Sequence, residues 1–230
     1  ALTDIAERTV AFKQGLLDGR RVVVSAGPTR EPIAPVRYLT NRSSGKMGYA
    51  MAPAALAAGA DVTLVSGPVA LPAPLGMQVI HVETTQQMQQ AVDAAVDGAD
   101  IFISAAAVSD YRPQTCADNK VKKKSETMSL TLTRNPDILA GVAARDDAPF
   151  TVGFAAETEH VAKYAKAKLE AKGLDMIIAN EVGEKLAFDQ DDNAVTVLWV
   201  DGEAAFALQE KNALSKQLLA LIAERLHAKG

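Results

Sequence analysis

Residues 25–48, SAGPTREPIAPVRYLTNRSSGKMG, contain the densest group of side chains that could bind an anion. The charged residues here are one acid, Glu31, and four bases: Arg30, Arg37, Arg42 and Lys46. Guanidinium groups bind phosphate or carboxylate through two parallel hydrogen bonds, so the segment favours an anionic substrate. A solvated charged loop is the alternative.

The same segment has the small residues of a phosphate loop: Gly27 after an apolar run, then Ser43, Ser44 and Gly45 before a helical pattern that starts near Lys46. Free backbone N–H groups and the helix dipole favour an anion at such a place. A plain helix entry, with Ser43 or Ser44 as N-cap, is equally consistent with the pattern. The segment is not a Walker A loop, and no G-x-G-x-x-G occurs.

Two further segments could contact a nucleotide. In SAAAVSDYRP, residues 104–113, small residues could admit a flat base, and Asp110 could bind base, sugar or Mg²⁺, or simply form a turn. The tract NKVKKK, residues 119–124, is either a solvated loop or a lysine flap that offsets the charge of a triphosphate.

Three later features have a plain structural explanation. Asn135 as N-cap, Pro136 at the first helical position and Asp137 in the first turn predict a helix start. Lys168 and Lys172 share one face of a predicted helix and could reach one ligand, although a solvated face has the same pattern. Phe154, in an apolar strand, is predicted to lie in the core.

The elements that must position these residues alternate between strands and helices. This predicts a Rossmann-like, doubly wound α/β fold, with a mainly parallel sheet, right-handed crossovers, helices on both faces and ligands at the carboxyl ends of the strands. Strands are predicted at 21–26, 61–66, 78–83, 101–105, 129–134, 151–156 and 176–180. Helices are predicted at 2–18, 46–58, 85–97, from 136, at 161–172 and at 212–227, with polar loops at 27–45 and 107–128.

Near the C-terminus, Asp201-Gly202 separates two alternating runs, 194–200 and 203–208, which predicts a β-hairpin. This hairpin is either an extension of the sheet or a dimer contact.

Composition limits the class of protein. The 230 residues, 48% of them apolar, suit one domain spanning 1–230, and the net charge of −4 argues against a nucleic-acid binder. The single cysteine, Cys116, excludes an intrachain disulfide and a cysteine zinc site, so we expect a reducing cytoplasm. No apolar stretch is long enough for a membrane helix. The first residue is Ala1, from which we expect a processed chain or a piece of a longer polypeptide.

Taken together, the motifs resemble those of phosphopantothenoylcysteine synthetases, the ligase half of the bacterial bifunctional coenzyme A enzyme. The loop at 27–48 is similar to the family signature, and the segments 104–113, 119–124, 135–138 and 152–158 are similar to its later motifs in the same order. The resemblance extends from Arg21 to the final helix. Asn119 and Val121 depart from the residues usual around the active lysine, which leaves the register of that tract open.

The resemblance implies a ligase that joins 4'-phosphopantothenate to L-cysteine, with CTP and Mg²⁺, through an acyl cytidylate. It implies a homodimer whose site draws on both chains, and fusion to or association with a flavin-dependent phosphopantothenoylcysteine decarboxylase. It assigns Lys120 to nucleotidyl transfer and Asn41 and Arg37 to the acyl group, and leaves the metal ligands unassigned. Its nucleotide site comprises Ser104, Ala105, Ala106, Asp110, Lys120, Pro136, Asp137, Ile138, Leu139, Phe154, Lys168 and Lys172.

Two other classes stay open. A nicotinamide-dependent oxidoreductase could use the same sheet, but it needs a glycine fingerprint after the first strand, which Gly27-Pro28-Thr29 lacks. A nucleotide-sensing module without catalysis would bind CTP and release no pyrophosphate.

Overall fold

The computed structural model describes residues 15–122, 126–157, 160–181 and 191–229. Most of the helix predicted at 2–18 and part of the lysine tract lie outside these residues, and residues 15–18 form a turn. The described elements, in chain order, are β1 (Arg21–Ala26), β2 (Arg30–Ala34), β3 (Arg37–Thr40), α1 (Lys46–Ala57), β4 (Asp61–Ser66), β5 (Gln78–His81), α2 (Thr85–Ala95), β6 (Ile101–Ser104), β7 (Tyr111–Pro113), β8 (Leu132–Arg134), α3 (Ile138–Ala143), β9 (Phe150–Glu157), α4 (Val161–Lys172), β10 (Met176–Glu181), β11 (Asp192–Trp199), β12 (Gly202–Glu210) and α5 (Lys211–Lys229).

A central sheet confirms the predicted α/β fold. Its order is β12-β11-β10-β9-β6-β1-β4-β5. The six strands from β10 to β5 pair in parallel, whereas β11 and β12 form the predicted antiparallel hairpin at one edge. Chain order reverses at β1, which has β4 on one side and β6 on the other. Ligands of such sheets bind outside the carboxyl ends of the strands at the point of reversal.

Successive side chains of each strand point to opposite faces, and both faces are covered. Val22 and Val24 of β1 pack in a cluster with α1 and α5, whereas Val23 packs in a second cluster with α2, α3 and α4. All three valines are at most 2% exposed. A strand buried on both faces appears in the sequence as a continuous apolar run, which is why β1 was predictable.

Two predicted loops contain strands. Within 27–45, β2 and β3 pair as an antiparallel hairpin, and within 107–128, β7 pairs with β8 in a second two-stranded sheet. The prediction of a central strand at 129–134 is therefore wrong. Its alternating pattern reflects a half-exposed strand, and Leu130 and Leu132 remain 40% and 43% exposed.

The predicted start of α1 near Lys46 is confirmed, but the N-caps of α3 and α1 differ from the residues that the sequence suggests. The N-cap of α3 is Asp137, whose carboxylate accepts a hydrogen bond from Ala140 N at 3.1 Å, so Asn135 does not cap this helix. The N-cap of α1 is Gly45, in a left-handed conformation with φ 75°, rather than Ser43 or Ser44. None of the helices that the structure describes is long and apolar enough to cross a membrane.

Candidate active site

A cavity of about 560 Å³ opens at the carboxyl ends of β6, β9 and β10. Its walls come from the loop after β6, the start of α1, the residues that lead into α3, the end of β9 and one face of α4. A cavity of this size suits a small-molecule ligand. The predicted site residues that line it are Asn41, Ser43, Ser44, Gly45, Lys46, Ser104, Ala105, Ala106, Asp110, Pro136, Asp137, Ile138, Leu139, Phe154, Lys168 and Lys172.

The loop at 105–110 forms one wall and continues the sheet beyond β6. Its backbone is hydrogen-bonded to β1 and to Gly27, the residue that follows β1. Ala105 N donates to Ser25 O at 3.0 Å, and Ala107 N donates to Gly27 O at 2.9 Å. The side chains at 105–107 are methyl groups, which leave room for a flat ring against the backbone. Asp110 is exposed at the end of this wall.

The N-terminus of α1 forms a second wall. Gly45 allows the left-handed turn into the helix, and a Cβ there would lie 2.7 Å from Val69 Cγ1 and 3.4 Å from the Gly27 Cα. The first turn of α1 contains no acid, and within the described residues no side chain caps its N–H groups. Those N–H groups and the helix dipole favour an anion at this end of the cavity.

Lysines bring positive charge to the cavity, and two of them are held by carboxylates. Lys172 Nζ lies 2.9 Å from Asp137 Oδ2. Burial raises the pKa of Asp137, but hydrogen bonds from Lys172 and Ala140 N outweigh it and hold this pKa below its usual value. Lys46 Nζ lies 2.9 Å from Asp191 Oδ1, and this hydrogen bond lowers the pKa of Asp191.

Asn41 follows β3 and joins the β2–β3 hairpin to the opposite wall. Its Nδ2 donates to Val108 O at 2.9 Å and lies 3.5 Å from Ala107 O. An amide nitrogen carries two hydrogens, and the bond to Ala107 O is long and therefore weak, so its hydrogen can be given to a ligand instead.

Four predicted residues lie outside the lining of this cavity: Gly27, Arg30, Arg37 and Lys120. Arg37 Nη1 donates to Val121 O at 2.9 Å, so the hairpin contacts the lysine tract, and Lys120 is exposed. Arg30 stacks on the Tyr38 ring at 4.7 Å and lines a second, more open cavity of about 820 Å³ beside β4 and β5. The roles that the resemblance gives these residues stay predictions.

Among the polar lining residues that sequence reasoning missed are Asn180, Asn193 and Lys211. Asn180 ends the predicted strand 176–180, so the rule that ligands bind at carboxyl ends could have found it. Lys211 is only 8% exposed and begins α5, and no sequence pattern distinguishes it from the other lysines of that helix.

The described residues contain no group of three or more His, Cys, Asp or Glu side chains that could hold a metal ion. Asp110 is the exposed carboxylate of the first wall, whereas Asp137 is bound to Lys172. Because Mg²⁺ commonly takes one or two carboxylates together with substrate phosphates, this lining fits a metal that enters with phosphates.

Comparison with known proteins gives one consistent family. The DNA/pantothenate metabolism flavoprotein C-terminal domain matches residues 17–226. Coenzyme A biosynthesis bifunctional protein CoaBC of Vibrio parahaemolyticus is 53% identical over 212 residues, which cover 90% of this chain and 53% of that protein. The Escherichia coli protein of the same name is 47% identical over 213 residues, covering 90% and 52%. The chain therefore spans about half the length of the curated relatives it matches.

A solved structure agrees. The crystal structure of the C-terminal domain of a CoaBC protein superposes with a TM-score of 0.80 at 39% identity. The match covers 94% of this chain and 100% of that one.

Proposed function

The chain belongs to the family of DNA/pantothenate metabolism flavoprotein C-terminal domains, and from this premise we propose that it is a phosphopantothenate–cysteine ligase of coenzyme A biosynthesis. The relatives named above are coenzyme A biosynthesis proteins, which supports the pathway. The observation that carries the proposal is the cavity, because it gathers in one place fifteen of the residues predicted for nucleotide and phosphate binding, together with Asn41, which is predicted for the acyl group.

The proposed reaction has two steps. The carboxylate of 4'-phosphopantothenate attacks the α-phosphorus of CTP, so that a P–O bond forms and pyrophosphate leaves. The amine of L-cysteine, having lost a proton, then attacks the acyl carbon, the amide bond forms, and CMP leaves. Activation is needed because a free carboxylate is a poor electrophile.

The walls of the cavity suit these two steps. The small residues at 105–107 accept the base, Lys168 and Lys172 face the phosphates, and the N-terminus of α1 takes a further anion. The second hydrogen of Asn41 Nδ2 is suited to an oxygen that gains charge when cysteine attacks. We propose that Mg²⁺ enters with the triphosphate beside Asp110, where it would offset phosphate charge.

We further propose a homodimer that builds each site from both chains. The β2–β3 hairpin is bonded to the loop after β7, where Ala117 N donates to Ile33 O at 3.0 Å. The hairpin and the β7–β8 sheet both expose apolar side chains: Val36 (59%), Tyr38 (46%), Tyr111 (53%) and Leu132 (43%). Exposed apolar side chains of this kind support the proposed contact between chains. Arg37 lies on this hairpin and does not line the cavity of its own chain. We therefore propose that it contacts the substrate in the cavity of the partner chain. A flavin-dependent decarboxylase, fused or associated, is the proposed further partner.

Pyrophosphate release tests the function. The chain is mixed with Mg²⁺ and CTP, with and without 4'-phosphopantothenate, and release should require both substrates. Subsequent addition of cysteine should yield CMP and the amide. CTP binding without release would indicate a nucleotide sensor, and binding of NADPH in place of CTP would indicate an oxidoreductase.

A further inference from the structure

A chain of buried hydrogen bonds lies beneath the wall of the cavity that carries Asp110. Its members come from the hairpin, the first turn of α2, the loop after β6 and the residue before Pro136. Their exposed fractions are between 0 and 8%, and they are Thr29, Glu31, Thr85, Ser109 and Asn135. The sequence gives no indication of this cluster, since its members lie up to 106 positions apart.

The direction of these hydrogen bonds can be assigned. Thr85 Oγ1 donates to Glu31 Oε1 at 2.7 Å, and Thr85 N donates to the same oxygen at 2.9 Å. The one hydroxyl proton of Thr85 therefore points to Glu31, and Thr29, whose Oγ1 is 3.1 Å away, must be the donor to Thr85. Thr29 Oγ1 in turn accepts from Ser109 N at 3.0 Å. This series of hydrogen bonds thus runs from the cavity wall to the buried carboxylate of Glu31.

Asn135 adds a branch to the same chain. Its Nδ2 donates to Thr85 Oγ1 at 3.2 Å and to Ser109 O at 2.8 Å. Its backbone N donates to Asp110 O at 2.8 Å. The backbone of Ser109 and Asp110 is consequently held at three atoms, Ser109 N, Ser109 O and Asp110 O. The two side chains that hold Ser109, those of Thr29 and Asn135, both also bond the hydroxyl group of Thr85.

A buried carboxylate is a costly way to fill a core, because its desolvation must be offset by hydrogen bonds. Here Glu31 accepts the first N–H of α2, where the helix dipole favours negative charge. Neither Glu31 nor Thr85 lines the cavity, but Ser109 and Asn135 do. The network therefore connects the hairpin that carries Arg37 and Asn41 to the wall that carries Asp110.

We propose that Glu31 and Thr85 are positioning residues for nucleotidyl transfer. They fix the backbone at Ser109 and Asp110 relative to the hairpin, so that the bound nucleotide and the acyl group are aligned for reaction. This inference rests on the proposed function. It predicts a loss of rate without a matching loss of CTP affinity, because the residues align bound groups and touch neither substrate.

The test compares Thr85→Val, which keeps the shape and removes the hydroxyl, with Thr85→Ser, which keeps the hydroxyl. In single-turnover pyrophosphate release, Thr85→Val should be about 10-fold slower, within the roughly 10² that a misplaced reacting group can cost, while the Kd for CTP changes by less than about 3-fold. Thr85→Ser should recover most of the rate. Amide hydrogen exchange at Ser109 should be faster in Thr85→Val alone.

Two results would overturn the inference: equal rates for the two variants, or a loss of CTP affinity in Thr85→Val that accounts for its loss of rate. If Thr85→Val does not fold, Glu31→Gln decides the question, because its neutral amide oxygen accepts the two bonds from Thr85 more weakly than a carboxylate does, and it should lower the rate in the same direction by a smaller factor. If the unaltered chain releases no pyrophosphate, the proposed function fails. In that case, amide hydrogen exchange at Ser109, compared between the unaltered chain and Thr85→Val, decides by itself whether Thr85 fixes the backbone of this wall.

Discussion

Two segments that the resemblance assigns to the nucleotide are held in different ways. In the loop at 105–110, backbone groups are bonded to β1, to Asn41, to Thr29 and to Asn135. The lysine tract contacts the hairpin through the bond from Arg37 to Val121 O, and its Lys120 is exposed outside the cavity lining.

This difference separates groups that are in place before a ligand binds from a lysine that must still be brought to the ligand. The loop at 105–110 is organised before any ligand arrives, which suits recognition of a base and sugar. Lys120 can reach a triphosphate only if its segment closes over the cavity or enters the cavity of a partner chain, and such closure commonly assembles a catalytic site. The predictions below test this division, in order of decreasing effect.

The largest effect is expected at the organised wall, from Asn41→Asp. The change keeps the shape but replaces the donor with an anion that faces the Val108 carbonyl and repels the oxyanion. The acyl cytidylate should still form, accumulate, and react with cysteine about 10² to 10³ times more slowly, the range for loss of one oxyanion donor.

Rapid-quench assays of pyrophosphate, acyl cytidylate and amide separate the two steps. Near-normal pyrophosphate release is the internal control that the loop is intact. Asn41 does not have this role if the amide forms at close to the normal rate, or if a folded variant loses pyrophosphate release.

The next largest effect is expected in the lysine tract. Lys120→Ala should slow pyrophosphate release by about 10² or more, since it removes a charge that offsets the transferring phosphate. Lys123→Ala is the matched control and should have a much smaller effect. Equal losses in the two variants would mean that the tract acts as a diffuse cationic flap, without one active lysine.

Mixing the two inactive variants distinguishes closure within one chain from entry into a partner's cavity. If Lys120 acts in the partner, a mixed dimer of Asn41→Asp and Lys120→Ala contains one site with both residues, and amide formation should partly return. If both residues act within one chain, mixing restores nothing. A 24.2 kDa monomer that is fully active at nanomolar concentration would contradict the homodimer itself.

The central sheet was largely predictable because most of its strands can be identified from short stretches of sequence. Continuous apolar runs such as 22–24 identify buried parallel strands, and Asp201-Gly202 identifies the hairpin. The strands of the two small sheets were not predictable as such, because they are only three to five residues long and show too little periodicity to be distinguished from a loop. Pro32 in β2 also argues against a strand, although it is tolerated in a two-stranded ribbon.

The site was predictable to the extent that residue type and resemblance identify individual residues. What the sequence could not give is how they are connected. Asn135 has the sequence pattern of an N-cap, yet its side chain bonds Thr85 and Ser109 instead, which leaves Asp137 to cap α3. Glu31 has the sequence context of a solvated loop residue and is 2% exposed.

The smallest effect is expected in the ion pair between Asp137 and Lys172, and it concerns stability. Asp137→Asn keeps an oxygen to accept the Ala140 N–H but removes the charge that pairs with Lys172. The folded pKa of Asp137 lies below the unfolded value of 3.8, so its stabilisation is fully present above pH 3.8 and is lost as pH falls through the folded pKa. Because both side chains are about a third exposed, solvent screening limits the loss at pH 7 to under about 1 kcal/mol. Urea unfolding of the two proteins should therefore give curves that differ at pH 7 and converge below pH 3.8. If the difference in free energy of unfolding stayed constant down to the lowest pH at which both proteins fold, the pair would contribute through packing rather than through charge.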